Sequence, residues 1–496
     1  MSGSGGLDVE LAMPRQSGLF YGGGWHEPGK PDTVTVTSPA TGHALKTIAV
    51  AGGGDVDAAV AAARVGFAQW RHVAPLERAK ILRSMANIIR EHSTELALLD
   101  AADGGNPVAE MGGDSLMAAG LIDFFAGLVT EMKGASIPMG PGSVNFTVRE
   151  PRGVIARIAA FNHPFLFLAS ALAAPLAAGN AVILKPAEQA PLSGLRLAEL
   201  VGHLVPPGVI NVLNGRAEVG AALAAHKGIN MVTLIGSVPT GRAVMRGAAE
   251  TLKPVLLELG GKNALIAFPD ADPRIVAAGM VDGMNYTWCG QSCGSVSRVF
   301  LHEAIYDAVL ARVPERIGKY KPGLPTDPAT TMGAIISRAQ YERILRFIQD
   351  TKDAGARLVC GGGPPSDPHL AGGFFVEPTV FADVTPQMRI AREEIFGPVQ
   401  AVLKWRDESE MLEQVNGLDY GLTCAIFTND LVKAHATAAA VEAGYVWINT
   451  VSRHFLGAPF GGYKQSGIGR GEGIEELLSF TQEKNIHINL RTGLPS

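Results

Sequence analysis

The chain has 496 residues, of which 47% are apolar and 18% charged, so it can bury roughly two to four compact cores. Its net charge of −5 and pI near 6.2 give no reason to expect nucleic acid or an acidic membrane surface as a partner. Four cysteines are too few for a disulfide scaffold, and residues 1–30 show no basic start followed by an apolar core, so we expect a cytoplasmic protein.

The first predicted elements are a strand and a long helical region. "VTVTSPATG" (34–42) begins with β-branched residues and ends in Pro39 and Gly42, which is typical of a strand followed by a turn. Residues 55–100 have Ala- and Leu-rich faces with polar backs, which predicts helices. Asp55 and Ser93 are candidate N-caps.

Residues 165–184 form the longest apolar run. Its length alone would permit a membrane span. The run contains Ser170, Pro175, Gly179 and Asn180, however. We therefore predict a buried helix, a turn at Gly179-Asn180, and a buried strand "AVIL".

Beyond residue 150 short apolar strands alternate with Ala- and Leu-rich helical stretches. This alternation predicts a parallel sheet with crossover helices. It resumes after the cysteine-containing stretch near residue 290, which predicts a second α/β domain.

Two Gly-rich stretches are candidates for phosphate binding. "GSVPTGRA" (236–243) follows a predicted strand and opens a helix, whose free N–H groups suit a pyrophosphate. Arg242 and Ala243 stand where a P-loop needs Lys and Ser or Thr, and the spacing is not G-x-G-x-x-G. "GIGRGEG" (467–473) lacks a preceding strand. Each is weak alone, since such turns are more often only turns.

"YTWCGQSCGSVSR" (286–298) carries Cys289 and Cys293, four residues apart. No pair of ligands has zinc-site spacing, because the other cysteines stand alone at 360 and 424. A reducing compartment disfavours a disulfide. Cys293 lies among small residues where a substrate could reach an activated thiol, although a lone cysteine is commonly just a small buried residue.

Glu258 ends an apolar predicted strand in "LELGGKN" (257–263). Burial would raise the pKa of this carboxyl and make it a candidate general base. Capping the next helix is the simpler alternative.

Further motifs follow one another along nearly the whole chain: "SPATG" (38–42), "DGGNP" (103–107), "FNHPF" (161–165), "LAAGNAVILKPAEQAPLS" (176–193), "PPGVINVLNG" (206–215), "IGSVPTG" (235–241), "LELGGKN" (257–263), "GQSC" (290–293), "EEIFGPV" (393–399), "YGLTCAIFT" (420–428), "GYVWIN" (444–449) and "PFGGYKQSGIGR" (459–470). Together and in this order they resemble the aldehyde dehydrogenase superfamily.

The resemblance implies an α/β fold of three parts: a Rossmann-like cofactor domain, an α/β catalytic domain and a small β oligomerisation flap. On this basis we expect the cofactor-binding domain in residues 7–132 and 152–262, and the catalytic domain in 263–465. The oligomerisation segments would be 133–151 and 475–496. The family usually forms homodimers or homotetramers.

The resemblance also assigns catalytic roles. Cys293 aligns with the family's nucleophile, whose attack on an aldehyde gives a thiohemiacetal and then a thioester. The Asn162 amide and the Cys293 backbone N–H align with the donors to the oxyanion. Glu258 aligns with the base that activates the hydrolytic water. Cys289 aligns with a pocket-lining position.

For the cofactor, the resemblance implies NAD. A carboxylate at Glu188 would repel the 2′-phosphate of NADP, although NADP stays possible because some members with this residue accept it. Ser237 fits the pyrophosphate contact and Glu394 the nicotinamide ribose. The aligned cofactor positions are Lys185, Glu188, Gly215, Gly236, Ser237, Leu259, Glu394 and Phe396.

The chain departs from the family at two positions that often form a proton relay. Ala171 stands where many members have lysine, and Gly471 stands where many have glutamate. We hypothesise that Glu258 exchanges its proton directly with water or through Glu472.

Aromatic and weakly polar residues are expected to line the aldehyde tunnel: His163, Phe167, Tyr286, Trp288, Cys289, His454, Phe455 and Phe460. They favour an aromatic or medium-chain apolar aldehyde. Arg453 leaves open an ω-carboxyl semialdehyde, since arginine binds carboxylates bidentately. A CoA-acylating enzyme and an inactive structural homologue are further alternatives. No metal, nucleic acid or membrane partner is expected.

Overall fold

The computed structural model describes residues 9–490, which form two large sheets with helices packed around them. The strands are β1 (Leu19–Tyr21), β2 (Gly24–His26), β3 (Thr33–Thr37), β4 (Ala44–Ala49), β5 (Ser136–Ile137), β6 (Ser143–Pro151), β7 (Val154–Ile158), β8 (Ala181–Lys185), β9 (Ile210–Val212), β10 (Met231–Gly236), β11 (Val255–Leu259), β12 (Ala264–Ala267), β13 (Arg298–His302), β14 (Arg357–Cys360), β15 (Thr379–Ala382), β16 (Val399–Trp405), β17 (Tyr420–Gly421), β18 (Thr423–Phe427), β19 (Tyr445–Ile448), β20 (Tyr463–Lys464), β21 (Gly467–Ile468) and β22 (Thr481–Asn489).

The helices, in chain order, are α1 (Val9–Ala12), α2 (Gly53–Trp70), α3 (Pro75–Glu91), α4 (Ser93–Gly104), α5 (Val108–Gly127), α6 (Pro164–Ala178), α7 (Leu192–Val201), α8 (Ala217–Ala225), α9 (Val238–Ala249), α10 (Pro273–Gly283), α11 (Tyr306–Leu310), α12 (Val313–Ile317), α13 (Arg338–Asp353), α14 (Arg389–Arg392), α15 (Glu408–Asn416), α16 (Leu431–Ala440) and α17 (Ile474–Ser479). Single 3₁₀ turns cover Gly202–Leu204, Tyr286–Trp288 and Pro368–Leu370.

The first sheet has the order β2-β1-β9-β8-β7-β10-β11-β21. Its five central strands are parallel, as predicted; in spatial order they are β9, β8, β7, β10 and β11. Counted along the chain from β7, they stand in the order 3-2-1-4-5, which is that of the Rossmann fold. The direction of winding reverses between β7 and β10, and in such sheets the ligand crevice lies at the carboxyl ends of the strands near this reversal.

The long apolar run folds as predicted. Pro164 opens α6, and Gly179 ends it in the left-handed conformation at φ 92°, which glycine adopts without a Cβ clash. The chain then enters β8, where every residue is buried between helices. Among residues 9–490 no helix is long and apolar enough to cross a membrane.

The second sheet has the order β14-β15-β16-β13-β12-β18-β19 and is parallel except at β14. It confirms the prediction of a second α/β unit. Only residues 260–263 separate β11 in the first sheet from β12 in the second. This short connection places the carboxyl edge of the first sheet beside the start of the second.

The predicted flap segments pair with each other in a three-stranded sheet of order β22-β6-β5. Its role in oligomerisation and the domain boundaries stay predictions. Residues 7–8 and 491–496, which fall within those boundaries, lie outside the described part of the chain.

Two details of the N-terminal helices differ from the prediction. Gly52 is the N-cap of α2, and the Asp55 carboxylate accepts a hydrogen bond from its N–H at 2.8 Å, as the third helical residue of a capping box does. Ser93 is the first residue of α4, and His92 is the N-cap.

Candidate active site

The junction of the two sheets brings Glu258 and Cys293 together. Glu258 lies in β11 beside Ile235 of β10, at the carboxyl edge of the first sheet. Cys293 lies in the loop before β13. The side chain of Asn263, in the connection between the sheets, holds this loop, because its Nδ2 donates to the Cys293 and Ser295 carbonyl oxygens at 2.6 and 3.0 Å.

Cys293 and Glu258 lie beside each other at the junction and influence each other's titration, and the pKa values of both are raised. Burial raises the pKa of Glu258 to about 7, against the hydrogen bond from Cys293, and the charges of Glu394 and Glu472 add to the rise. Burial also raises the pKa of the Cys293 thiol, and the charge of Glu258 and the hydrogen bond to it raise it further. The thiol therefore keeps its proton at rest, next to a carboxylate able to accept it.

Asn162 is buried at 3% exposure between β7 and α6. The Asn106 side chain donates to its carbonyl oxygen at 2.9 Å, and the Asp100 carboxylate accepts from the Phe165 N–H at 2.8 Å in the first turn of α6. Within residues 9–490 the Asn162 side-chain amide makes no hydrogen bond. These two bonds hold the backbone at the start of α6.

A cavity of about 470 Å³ opens onto Cys293 and Glu258. One wall comes from α5 and α6, another from β10 and β11, and a third from the loop after β19. Its side chains are mainly aromatic and aliphatic, with several carboxylates, which is typical of a ligand pocket. Of the predicted substrate residues, six line it: His163, Phe167, Trp288, His454, Phe455 and Phe460.

Tyr286 and Cys289, predicted to line the tunnel, do not. Both are fully buried in the core of the second sheet, and the Tyr286 hydroxyl donates to the Thr379 carbonyl at 3.3 Å. The 3₁₀ turn between them is flanked by left-handed residues, Asn285 and Cys289. This turn directs Trp288 into the cavity, and Tyr286 and Cys289 into the core.

Arg453, the predicted anchor for a substrate carboxylate, does not line the cavity either. Its side chain is exposed, and its carbonyl oxygen accepts from Trp447 Nε1 at 2.8 Å. That bond fixes the main chain of the loop, so His454 and Phe455, the next residues, contribute to the cavity instead.

Most of the predicted cofactor residues lie at the carboxyl edge of the first sheet: Lys185 ends β8, Gly215 follows β9, Gly236 and Ser237 join β10 to α9, and Leu259 ends β11. Ser237 is the N-cap of α9, a position suited to a phosphate. Burial lowers the pKa of Lys185 to about 8, although Glu188 and Glu218 oppose this. Glu188 itself is exposed. This set of donors and acceptors fits a dinucleotide.

Glu394 and Phe396 reach the same region from the second sheet's side. Glu394 Oε1 accepts from the Gly261 N–H at 3.0 Å, and a Cβ at Gly260 would lie 2.1 Å from Oε2. A side chain at position 260 would therefore displace this carboxylate from the backbone. Phe396 packs edge-on against Phe161 at 5.7 Å.

The comparisons with known proteins agree with this site. Residues 25–486 match the model of the aldehyde dehydrogenase family. The chain belongs to this family. It is 51% identical to the aldehyde dehydrogenase tropH of Talaromyces stipitatus, over 97% of this chain and 95% of that one, and 42% identical to a betaine aldehyde dehydrogenase of Brucella melitensis, over 97% and 98%. A Bacillus cereus aldehyde dehydrogenase solved in complex with NAD+ has a TM-score of 0.93 and 38% identity, over 97% and 98%.

In this aldehyde dehydrogenase, Glu472 pairs with His454 at the edge of the cavity. His454 Nδ1 lies 3.1 and 3.2 Å from the two Glu472 oxygens. The Glu472 N–H donates to Glu476, which pairs with Arg157 at 3.3 Å in a nearly buried ion pair. Glu472 has φ 64°, a left-handed conformation that costs a non-glycine residue about 1 kcal/mol or more.

Sequence reasoning missed several cavity residues, among them Glu110, Asp114, Arg157 and Trp447. Trp447 lies within a motif that carries the family resemblance, so that motif was the available signal. Asp114 pairs with His163 at 2.7 Å across 49 positions of sequence, and no local pattern indicates this contact. Across residues 9–490, no cluster of three or more His, Cys, Asp or Glu side chains could hold a metal ion.

Proposed function

We propose that this aldehyde dehydrogenase oxidises an aldehyde to the carboxylic acid with NAD as hydride acceptor and water as acyl acceptor. The placement of the Cys293 thiol beside the buried Glu258 carboxylate, at the cavity, carries the proposal. A nucleophile and a general base thus lie side by side, as is required by a reaction in which a thioester forms and is then hydrolysed.

The protein's own groups act in two stages. Glu258 takes the proton of Cys293 as the sulfur attacks the aldehyde carbon, and the Asn162 amide and the Cys293 N–H stabilise the oxyanion of the thiohemiacetal. NAD, when bound, would accept the hydride whose loss leaves a thioester on Cys293. After Glu258 has released its first proton to solvent, it takes one from the water that attacks the thioester; the C–S bond then breaks, which frees the acid and the Cys293 sulfur. Lys185, Glu188, Ser237 and Glu394 would hold the cofactor.

The cavity favours an aromatic or medium-chain apolar aldehyde. Rings of Phe167, Trp288, Trp447 and Phe460 line it, and aromatic surfaces bind rings by offset or edge-on contacts. Arg453 is exposed and does not line the cavity. The semialdehyde alternative therefore loses the residue on which it rested.

A second candidate substrate is an aldehyde bearing a quaternary ammonium group. Relatives 42% identical over 97% of the chain are named betaine aldehyde dehydrogenases, and the cavity combines tryptophan rings with the carboxylates of Glu110 and Asp114. Such groups bind cations over ring faces. The CoA-acylating and inactive alternatives are disfavoured by the Glu258–Cys293 pair, which neither would need.

The substrate assignment is tested by initial rates of NADH formation without CoA. The panel contains benzaldehyde, a medium-chain aliphatic aldehyde, an ω-carboxyl aldehyde and betaine aldehyde, each with NAD and with NADP. We expect the highest kcat/KM with the aromatic or aliphatic aldehyde and NAD. A highest value with betaine aldehyde would establish the second candidate, and one with the ω-carboxyl aldehyde would restore Arg453.

The Glu188→Gln variant is expected to shift cofactor preference toward NADP. The exposed carboxylate follows β8, where the adenosine ribose would lie, and its charge opposes a 2′-phosphate. The ratio of kcat/KM for NADP to that for NAD should rise about tenfold, equivalent to about 1.4 kcal/mol. Glu250→Gln, at the far end of α9 from Ser237, is the matched control and should leave the ratio unchanged. An unchanged ratio in Glu188→Gln would remove this residue from cofactor selection.

We further propose that the Glu472–His454 pair replaces the missing relay and carries the proton from Glu258 to solvent. Both side chains line the cavity, are about one-third exposed, and act electrostatically on Glu258. In Glu472→Gln the rate of deacylation should fall about threefold to tenfold and its pH profile should shift, since the acceptor is lost. Glu475→Gln, an exposed neighbour, is the control. An unchanged profile in Glu472→Gln would mean that Glu258 exchanges directly with water.

A further inference from the structure

His163 and Asp114 form a polar pair in the wall of the cavity that the oxidation steps do not use. Asp114 lies on α5, and His163 directly precedes α6. His163 Nδ1 lies 2.7 Å from Asp114 Oδ2, and the two side chains are 17% and 10% exposed. A carboxylate at this distance fixes the tautomer, with the Nδ1 hydrogen directed at Asp114.

The other ring nitrogen, Nε2, is left for the cavity. Within residues 9–490 the His163 ring makes no second hydrogen bond. The rings of Phe167 and Trp288, which also line the cavity, lie 5.2 and 5.4 Å from it, centroid to centroid. Nε2 is thus a polar atom among aromatic rings in the cavity wall, where a bound ligand would contact it.

The surroundings also shift the titration of the ring. Burial lowers the pKa of His163, but the charge and hydrogen bond of Asp114, with the charges of Asp100 and Glu258, outweigh it and raise the pKa overall. With the Nδ1 hydrogen directed at Asp114, Nε2 of the neutral ring accepts a hydrogen bond from a hydroxyl, and Nε2 of the protonated ring donates one to an oxygen. A hydroxyl group can partner Nε2 in either state.

We propose that His163 determines substrate specificity through a hydrogen bond between Nε2 and a hydroxyl group on the substrate ring, so that hydroxylated aromatic aldehydes are the preferred class. The proposal rests on the proposed aldehyde oxidation and names its substrate class. A bare ring would leave the desolvated Nε2 without a partner, and a site built around such a polar atom discriminates strongly against ligands that lack the matching group. Asp114 acts as a positioning residue, since it holds the ring and its tautomer.

The test compares kcat/KM for 2-, 3- and 4-hydroxybenzaldehyde with kcat/KM for benzaldehyde. In the unmodified enzyme at least one hydroxylated isomer should exceed benzaldehyde by about tenfold or more, the worth of one hydrogen bond in a desolvated site. His163→Phe should reduce this ratio to near unity. His163→Gln, which keeps an N–H donor, should retain part of it. His302→Phe makes the same exchange outside the cavity, where the ring packs on Trp405, and should leave the ratio unchanged.

Two results would overturn the proposal while leaving the oxidation intact: an unmodified enzyme that does not prefer any hydroxylated isomer, or a preference that survives in His163→Phe. The first needs no variant, so a misfolded variant cannot hide it. If none of a broad panel of aldehydes is oxidised, the proposed oxidation itself fails, and the specificity proposal fails with it.

Discussion

Cys293→Ala should abolish NADH formation. The side chain supplies the only thiol that lines the cavity among residues 9–490, and without it no thiohemiacetal forms. We expect kcat to fall by about 10³-fold or more, because removal of a covalent nucleophile leaves only binding and oxyanion stabilisation. NAD binding, measured by calorimetry, should persist, since none of the predicted cofactor residues lies on the loop that carries Cys293.

The matched control for that loss is Cys360→Ala. Cys360 lies on β14, outside the cavity, and packs against the core of the second sheet. It should keep near-normal turnover. Turnover that survives in Cys293→Ala would show that the nucleophile is misassigned. Loss of both turnover and NAD binding would point instead to misfolding, which circular dichroism would reveal.

Glu258→Gln should have the next largest effect. Water is a far weaker acid than a thiol, so hydrolysis depends on the base more than the attack by Cys293 does. We expect steady-state kcat to fall by about 10² to 10³-fold, with an initial burst of NADH and an acyl group on Cys293 detectable by intact-protein mass spectrometry.

The same variant tests the pH dependence. Burial raises the pKa of Glu258 to about 7, so the carboxylate that acts as base forms as pH rises through this value. The kcat of the unmodified enzyme should therefore increase between about pH 6 and pH 8, a range set by that pKa. Glu258→Gln should lose this rise, and Glu250→Gln, a surface control, should keep it. A rise that persists in Glu258→Gln would assign the base to another residue.

The sequence allowed the fold and the family to be predicted, and for the fold the reasons are local. Pro164, Gly179 and a β-branched run specify helix, turn and strand by conformational preference alone. Glu258, at the end of a strand before two glycines, could be recognised as a carboxylate in an unusual position. Motif order then indicated the family and made Cys293 the predicted nucleophile, a role that stays a prediction.

The shape of the cavity could not be predicted, because it depends on contacts distant in sequence. Tyr286 and Trp288 stand in one short turn, and the left-handed residues on either side decide which of them faces the cavity. The pairs His163–Asp114 and His454–Glu472 join different elements, which only tertiary packing places together.

Oxidation with water as acyl acceptor is tested most directly by the yield of carboxylic acid per NADH formed from benzaldehyde and NAD without CoA. We expect one acid per NADH under sustained turnover, because water attacks the Cys293 thioester with Glu258 as base. A single NADH per active site with no free acid, and turnover restored by CoA, would contradict it and assign acyl transfer to CoA.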